Sequence, residues 1–274
     1  MDETTLAFIG GGNMAASLAG GLIADGWNPA NIRIADTDTE RLEQLSERFS
    51  VATMSGNCEA VAQADAVVLA VKPQVVKPVS QQLAALVKEQ GSLVISIAAG
   101  IPEASLRNWL GENTAIVRTM PNTPALVQSG ATALYANANT REDQRNIAES
   151  ILRAVGVTIW VDDEALMDVV TALSGSGPAY FFLFMEAMQA VGCELGLPEK
   201  TARLLTLQTA FGAAKMALES SEDITILRQR VTSPGGTTER AIKSFQDDGL
   251  EALVRKALQA AAERAKELGI ELGK

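Results

Sequence analysis

Short apolar runs alternate with helical stretches from residue 5 to about residue 161. This alternation predicts a doubly wound α/β sheet, in which helices connect the strands and cover both faces. Several runs are continuously apolar, as expected for strands buried on both sides. The predicted strands are residues 6–9, 32–35, 66–71, 93–97, 115–118, 131–134 and 158–160. The predicted helices are residues 14–24, 39–47, 75–88, 103–110 and 141–154.

The strand pattern stops after Asp162 and Asp163, and the rest of the chain is rich in Ala, Leu, Glu and Gln. That composition predicts helices only. The chain has 274 residues and is 47% hydrophobic, which is enough for two separate cores. We therefore predict an α/β domain over residues 1–162 and an all-α domain over residues 163–274.

The first long helix of the second domain has an unusual composition. Residues 179–195 contain no lysine or arginine and are apolar nearly all round. A membrane span is one interpretation, but the short length and the polar residues Glu186, Gln189 and Glu194 argue against it. We expect instead that this helix is buried between subunits of a homo-oligomer, because exposed apolar surfaces mark interfaces.

Charge and composition exclude several classes of function. The formal net charge of −10 argues against a nucleic-acid or anionic-membrane partner. The chain has no histidine, which excludes Ser-His-Asp catalysis and histidine metal sites, and its two cysteines lack metal-site spacing. We expect no metal and plain packing for both cysteines. The N-terminal residues lack a signal-peptide pattern, so we expect a cytoplasmic protein.

Residues 10–15, Gly-Gly-Gly-Asn-Met-Ala, fit the dinucleotide-binding pattern G-x-G-x-x-A between a predicted strand and a predicted helix. Gly10 would permit the tight turn, Gly12 the approach of a pyrophosphate, and Ala15 close packing of helix on strand. The free N–H groups of the helix start, at Asn13 and Met14, would bind the phosphates. The alternative is a glycine-rich turn without function. The context favours a Rossmann-type unit that binds NAD or NADP.

Asp36 ends the second predicted strand, 21 positions after Ala15. A carboxylate there would accept hydrogen bonds from the adenosine ribose hydroxyls, which favours NADH over NADPH. A 2′-phosphate would face this carboxylate unless the loop of Thr37, Asp38 and Thr39 moves and Arg41 reaches the phosphate. The alternative is that Asp36 only caps the following helix. The choice of cofactor therefore stays open at this stage.

Five further motifs occur at predicted strand ends and helix starts. They are residues 70–74 (AVKPQ), 96–101 (SIAAGI), 118–124 (RTMPNTP), 174–180 (SGSGPAY) and 232–238 (TSPGGTT). Together with the glycine loop they make the chain resemble the pyrroline-5-carboxylate reductases over nearly its whole length. The resemblance implies reduction of Δ1-pyrroline-5-carboxylate to L-proline, the last step of proline biosynthesis, by hydride transfer to the imine carbon.

The resemblance also places three of these motifs beside the cofactor. Val71, Lys72 and Pro73 would border the nicotinamide ribose, although Lys72 could equally be a solvated surface lysine. The small residues around Ala98 would leave room for the nicotinamide ring. Asn122 is a candidate for hydrogen bonds with the cofactor or with the loop opposite; an Asx turn before Pro124 is the alternative.

The last two motifs belong to the predicted helical domain. The SGSGP segment predicts a loop that runs into a helix, with Ser176 pointing toward the helix N-terminus. Residues 233–238 repeat this arrangement, and the resemblance implies that they bind the substrate. The set comprises Ser233, Gly235, Gly236, Thr237 and Thr238. Exposed N–H groups and the helix dipole would hold a small carboxylate, and the Thr238 hydroxyl would contact the ring nitrogen. A simple helix cap is the alternative.

Two alternative functions are compared with this interpretation. β-Hydroxyacid dehydrogenases share the domain plan but use a lysine in the first long helix of the second domain, and here no lysine occurs between Lys88 and Lys200. A non-catalytic nicotinamide sensor is the second rival, against which the Gly-Gly-Thr-Thr segment argues. The family further suggests homodimers that assemble up to decamers, with active sites between the Rossmann domain and helices of a neighbouring chain.

Overall fold

A computed structural model describes residues 4–274 of the chain. The fold divides into two compact units. The first unit contains residues 4–176 together with residues 260–274, and the second contains residues 177–259. The chain therefore leaves the first unit at residue 177 and returns to it within its last helix.

The first unit is built on one sheet, which has eight strands within the described residues. The strands are β1 Leu6–Ile9, β2 Ile32–Ala35, β3 Ala52–Met54, β4 Ala66–Leu69, β5 Leu93–Ser96, β6 Ile116–Met120, β7 Gly130–Ala136 and β8 Gly156–Trp160. Their spatial order is β3-β2-β1-β4-β5-β6-β7-β8. Strands β1 to β6 are parallel, whereas β7 runs antiparallel to β6 and parallel to β8. The order reverses between β1 and β4, and sheets of this kind bind ligands beyond the carboxyl ends of the strands at that point.

Helices cover both faces of this sheet. They are α1 Asn13–Ala24, α2 Thr39–Phe49, α3 Asn57–Val61, α4 Pro73–Gln90, α5 Glu103–Leu110, α6 Glu142–Arg153 and α7 Leu166–Val170. Alternate residues of β1 point to opposite faces: Leu6 and Phe8 pack with α1, α2 and α6, whereas Ala7 and Ile9 pack with α3, α4 and α5. Burial on both faces explains why these strands are continuously apolar.

The second unit contains helices only within the described residues. They are α8 Gly177–Glu194, α9 Glu199–Glu219, α10 Ile224–Arg230 and α11 Thr237–Asp247, followed by α12 Leu250–Leu272, whose end lies in the first unit. Large apolar side chains on α8 and α9 stay exposed in the single chain, among them Phe181 (67%) and Leu204 (67%). None of the helices in residues 4–274 is both long and apolar enough to cross a membrane.

The predicted fold class is confirmed: a Rossmann-type doubly wound sheet is followed by an all-α region. Two short elements, β3 and α3, were not predicted, because three and five residues are too few to produce a clear periodicity. Strand β4 ends two residues before the predicted boundary. The chain turns there toward Pro73, the first residue of α4.

Candidate active site

The glycine loop after β1 is shaped by close contact with the neighbouring strand end. Gly10 has φ +103°, a conformation that side chains rarely adopt, and its N–H donates to the carbonyl of Ala35 at 2.7 Å. A Cβ atom at Gly10 would lie 2.7 Å from the carbonyl oxygen of Ala70. The turn therefore requires glycine here, and it directs the chain into α1 at the carboxyl edge of the sheet.

The start of α1 has the features of a phosphate site. Gly12 precedes Asn13, the first residue of the helix, and no side chain caps the first turn. The first N–H groups of a helix have no partner within it, and the helix dipole adds positive potential there. A Cβ atom at Gly12 would meet nothing within 4 Å, so the space beside this backbone is open. The loop therefore fits the pyrophosphate of a dinucleotide.

Asp36, which follows β2, holds the glycine loop in place. Its Oδ2 accepts a hydrogen bond from the N–H of Gly11 at 2.6 Å, and its Oδ1 accepts from the N–H of Asp38 at 2.9 Å. Arg41 lies 3.2 Å from Oδ2. Burial raises the pKa of the Asp36 carboxyl. The hydrogen bonds from Asp38, Gly11 and Arg41 together lower it by a larger amount, so the pKa lies below its usual value.

The alternative reading of Asp36 as a helix cap is wrong. The residue that caps α2 is Asp38, whose side chain accepts from the N–H of Arg41. Arg41 also forms ion pairs with both Asp36 and Asp38, and its side chain is 45% exposed. Asp36 thus has a different structural role from the predicted alternative, while its contact with a ribose remains a prediction.

Two further segments lie at the same carboxyl edge, after β4 and β5. Lys72 is the residue before α4, it is exposed, and Pro73 begins the helix, with Val71 partly buried beside them. Ala98 is buried after β5, and its N–H faces the hydroxyl of Ser96 at 3.4 Å. Because β1, β4 and β5 are neighbours and parallel, these segments and the glycine loop share one edge.

Asn122, after β6, uses both ends of its side-chain amide within the protein. Its Nδ2 donates to the carbonyl oxygen and the hydroxyl of Ser174 at 3.2 and 3.3 Å. Its Oδ1 accepts from the N–H of Ala131 at 2.9 Å. The alternative of an Asx turn before Pro124 is wrong, since the side chain makes no such cap. The two predicted partners of Asn122 were the cofactor and the opposite loop. In the structure Asn122 bonds to the opposite segment, at Ser174.

The prediction of a loop for the SGSGP segment is wrong. Residues 171–175 form a π-helical turn that follows α7, and Ser176 keeps right-handed helical angles. The N–H of Ser176 donates to the carbonyl of Thr171, five residues earlier, at 2.8 Å. The paired glycines suggested a loop, but a wide helical turn accommodates them without leaving the helical region.

The loop of residues 233–238 lies in the second unit and leads into α11. Gly235 has φ +71°, Gly236 directly precedes the helix, and Thr237 and Thr238 are its first two residues. The N–H of Gly235 donates to Oε2 of Glu239 at 2.7 Å, and that of Gly236 to the carbonyl of Ser233 at 3.0 Å. The two glycine N–H groups therefore already have acceptors.

The helix start is consequently the better place for an anion in this loop. The N–H groups of Thr237 and Thr238 open α11, where a helix offers no internal acceptor. Both threonine side chains are exposed. The groove beside the loop has a mixed lining of three basic and three acidic side chains, namely Arg228, Arg240, Lys243, Glu239, Asp247 and Asp248. Lys243 is paired with Asp247 at 3.2 Å, so the helix start rather than net charge favours an anion here.

Sequence reasoning missed two residues of these segments. Glu239 stands three residues after Gly236, the spacing at which an acidic side chain bonds back to the start of its helix. The second is Ser174, whose carbonyl accepts from Asn122. Its sequence signal is Pro178, which has no N–H to donate to that carbonyl. Within residues 4–274, no three Cys, Asp or Glu side chains lie close enough together to hold a metal ion.

Comparison with known proteins agrees with this arrangement. Residues 164–268 match the family described as pyrroline-5-carboxylate reductase dimerisation, and residues 5–100 match the family described as NADP oxidoreductase, coenzyme F420-dependent. A pyrroline-5-carboxylate reductase of Pseudomonas aeruginosa is 55% identical over 273 residues, with 100% of both chains covered. One from Glycine max is 38% identical, with 97% of both chains covered.

Solved structures give the same result. A pyrroline-5-carboxylate reductase from Coxiella burnetii superposes with a TM-score of 0.94 at 49% identity, covering 97% of this chain and 99% of that one. The Plasmodium falciparum pyrroline carboxylate reductase, solved with NADP bound, has a TM-score of 0.86 at 30% identity, covering 98% and 99%.

The fold and the edge of the sheet define an NAD(P)-dependent oxidoreductase with a Rossmann-type domain and a helical dimerisation region. Within that class, the chain belongs to the pyrroline-5-carboxylate reductase family. The dimerisation match supports self-association, in agreement with the exposed apolar faces of α8 and α9. The compact units divide at residue 177 and the family match begins at residue 164, so the predicted division at 162/163 stays a prediction.

Proposed function

We propose that this chain reduces Δ1-pyrroline-5-carboxylate to L-proline with NADH or NADPH. The observation that carries the proposal is its similarity, over at least 97% of its length, to reductases of that name from bacteria and plants. The described geometry supplies the means: one helix start for a dinucleotide and another for a small carboxylate.

The dinucleotide end of the site is assigned to the first unit. The N–H groups of Gly12, Asn13 and Met14 bind the pyrophosphate, and the turn at Gly10 sets their direction. Asp36 accepts hydrogen bonds from the adenosine ribose hydroxyls. Support for this assignment comes from the open space beside Gly12 and from the position of Asp36, which bonds to the glycine loop at Gly11.

The nicotinamide end is assigned to the segments after β4 and β5. Val71, Lys72 and Pro73 border the nicotinamide ribose, and the small side chain of Ala98 leaves room for the ring. Asn122 was predicted from the sequence to contact either the cofactor or the loop opposite. Its amide is already bonded to Ser174 and Ala131, which favours an indirect role.

The substrate is assigned to the loop before α11 and to Ser176. The N–H groups of Thr237 and Thr238 and the hydroxyl of Ser233 hold the substrate carboxylate, while Gly235 shapes the loop. The Thr238 hydroxyl contacts the ring nitrogen.

The reaction needs little acid–base catalysis from the protein. When bound, the reduced nicotinamide supplies a hydride, and the product is L-proline and oxidised cofactor. The cyclic imine takes up its proton in solution, and the protonated form is electrophilic enough to accept the hydride. The protein therefore mainly orients the reactants, which suits a chain without histidine. Thr238 orients the nitrogen through its hydroxyl.

We propose NADH as the preferred cofactor. Arg41 is paired with two carboxylates, Asp36 and Asp38, so its charge is largely compensated where a 2′-phosphate would lie. The Plasmodium falciparum relative was solved with NADP bound, so the proposal distinguishes this chain from that relative. Dimers that assemble further, up to decamers, and a cytoplasmic location complete the proposal and stay predictions.

The test is a spectrophotometric assay with Δ1-pyrroline-5-carboxylate and either NADH or NADPH. We expect substrate-dependent loss of reduced cofactor, with formation of L-proline and a larger kcat/KM for NADH. Thr238→Ala should lower turnover by about tenfold or more and leave cofactor affinity within about twofold. Thr238→Ser, which keeps the hydroxyl, is the matched control and should retain most of the activity.

The outcomes separate the candidate functions. A flat trace with tight cofactor binding would favour a nicotinamide sensor and overturn the proposal. Unchanged turnover of Thr238→Ala would remove Thr238 from the mechanism while leaving the reaction itself in place.

A further inference from the structure

The end of β6 and the π-helical turn of residues 171–175 are joined at two points. Asn122 donates from Nδ2 to the carbonyl oxygen and hydroxyl of Ser174. A Cβ atom at Gly175 would overlap Cε of Met120, so the last residue of β6 lies directly against this turn. The carboxyl edge of the sheet, where the cofactor is assigned, thus contacts the segment that carries Ser176.

The Ser174 carbonyl is an acceptor that lacks the usual α-helical donor. In an α-helix its partner would be the N–H of the residue four positions later, and that residue is Pro178, which has none. Ser174 is partly buried, so a donor from elsewhere in the fold stabilises this carbonyl. The amide of Asn122, partly buried, is that donor.

Asn122 is itself held in a fixed orientation. Its Oδ1 accepts from the N–H of Ala131, near the start of β7, at 2.9 Å. An oxygen on Ala131 N–H leaves only the amide nitrogen to face Ser174, so the direction of the side chain is determined. The start of β7 therefore orients the Asn122 amide, and the amide in turn holds the π-helical turn through Ser174.

We infer that Asn122 is a positioning residue: by bonding to the Ser174 carbonyl, which can receive no N–H from Pro178, it holds the π-helical turn and sets the direction of Ser176. The inference rests on the proposed function, in which Ser176 contacts the imino acid. In the π-helical turn the N–H of Ser176 bonds five residues back, to Thr171. Relaxation to an α-helical turn would rotate Ser176 away from its present direction.

The main test is Asn122→Asp, because aspartate keeps an oxygen for the N–H of Ala131 but cannot donate to Ser174. We expect kcat/KM for Δ1-pyrroline-5-carboxylate to fall by about tenfold to a hundredfold, mostly through KM. The Kd for NADH, from fluorescence titration, should change by less than about twofold. Amide hydrogen exchange should speed up at residues 174–177.

Two variants control for the obvious failures. Ser174→Ala removes only the hydroxyl contact and should have a smaller effect than Asn122→Asp. Pro178→Ala returns a helical N–H to the Ser174 carbonyl, so it should raise KM for the substrate with the Kd for NADH unchanged. In the Pro178→Ala background, Asn122→Asp should cost less than it does alone, since the restored N–H already competes with Asn122 and favours the α-helical turn.

Clear results would overturn the inference. A weakened Kd for NADH with unchanged KM in Asn122→Asp would make Asn122 a cofactor ligand. Unchanged hydrogen exchange at residues 174–177 would show that the bond does not hold the turn, whether or not the wild-type enzyme is active. If Asn122→Asp does not fold, unchanged KM in Pro178→Ala overturns the inference. A flat trace for wild-type enzyme would instead overturn the proposed function.

Discussion

Two glycine loops of this chain have the same plan, a tight turn followed by a helix start, but they are fixed in different ways. In the loop after β1, a Cβ at Gly10 would strike the Ala70 carbonyl, and Asp36 bonds to Gly11. In the loop before α11, a Cβ at Gly235 would meet nothing within 4 Å, and one at Gly236 would lie 2.9 Å from the Ser233 carbonyl oxygen of the loop itself. The conformation of the first loop is thus fixed by contacts with neighbouring strand ends, and that of the second mainly by hydrogen bonds within the loop and its helix. Similar motifs therefore differ in how strongly the surrounding structure constrains them.

The largest difference is expected from Gly10→Ala. Its added Cβ would lie 2.7 Å from the Ala70 carbonyl, at φ +103°, so we expect a loss of more than about 2 kcal/mol in unfolding free energy, measured in urea. Gly12→Ala is the matched control, with φ −67° and open space around the new methyl. It should cost less than about 1 kcal/mol yet weaken NADH binding. Native stability of Gly10→Ala would contradict this account of the first loop.

The next effect concerns Arg118 of β6, which is buried and pairs with Glu164 at 2.7 Å. Glu164 also accepts from the N–H of Glu103 at 2.6 Å. Glu164→Ala leaves the arginine with the more distant carboxylate of Asp168, at 3.9 Å. We expect a loss of about 2 kcal/mol in urea unfolding, moderated by this second partner and by the 25% exposure of Glu164. Glu164→Gln keeps the acceptor and should lose less. Equal losses for the two variants would show that the hydrogen bonds do not matter.

Asp36 should make the stability of the first unit depend on pH. Its folded pKa lies below the unfolded value of about 3.9, so the carboxylate stabilises the fold above that pH. This contribution is lost as the pH falls through the folded pKa. Asp36→Asn should therefore be about 1 kcal/mol less stable near neutral pH, and the gap should close below about pH 4. A gap that stays constant in acid would argue against this role.

The smallest effect should come from the second loop. Glu239→Ala removes the carboxylate that accepts from Gly235, but the bond is exposed and local. We expect a loss of about 0.5 to 1 kcal/mol, the size of a helix-capping effect, in the same urea measurement. Glu239→Gln, which can still accept, should lie closer to wild type. A loss as large as that of Gly10→Ala would erase the contrast between the two loops.

The sequence predicted the parts of the fold that depend on period and on local chemistry. Strand β1 and helix α5 occur at the predicted residues, because an apolar run before a glycine turn and a proline before a helix are local signals. The π-helical turn was not predicted, since it depends on Asn122, which is distant in sequence from Ser174. The same reason hid the structural role of Asp36, whose partner Gly11 lies 25 residues away.

The central claim is that a hydride passes from the nicotinamide to the imine carbon of a cyclic imino acid. Its most direct measurement uses cofactor deuterated at the transferred position of C4, with mass spectrometry and NMR of the product. The account predicts L-proline that carries one deuterium at the former imine carbon, formed in equal amount to the oxidised cofactor. Oxidation of the cofactor without labelled proline would contradict it.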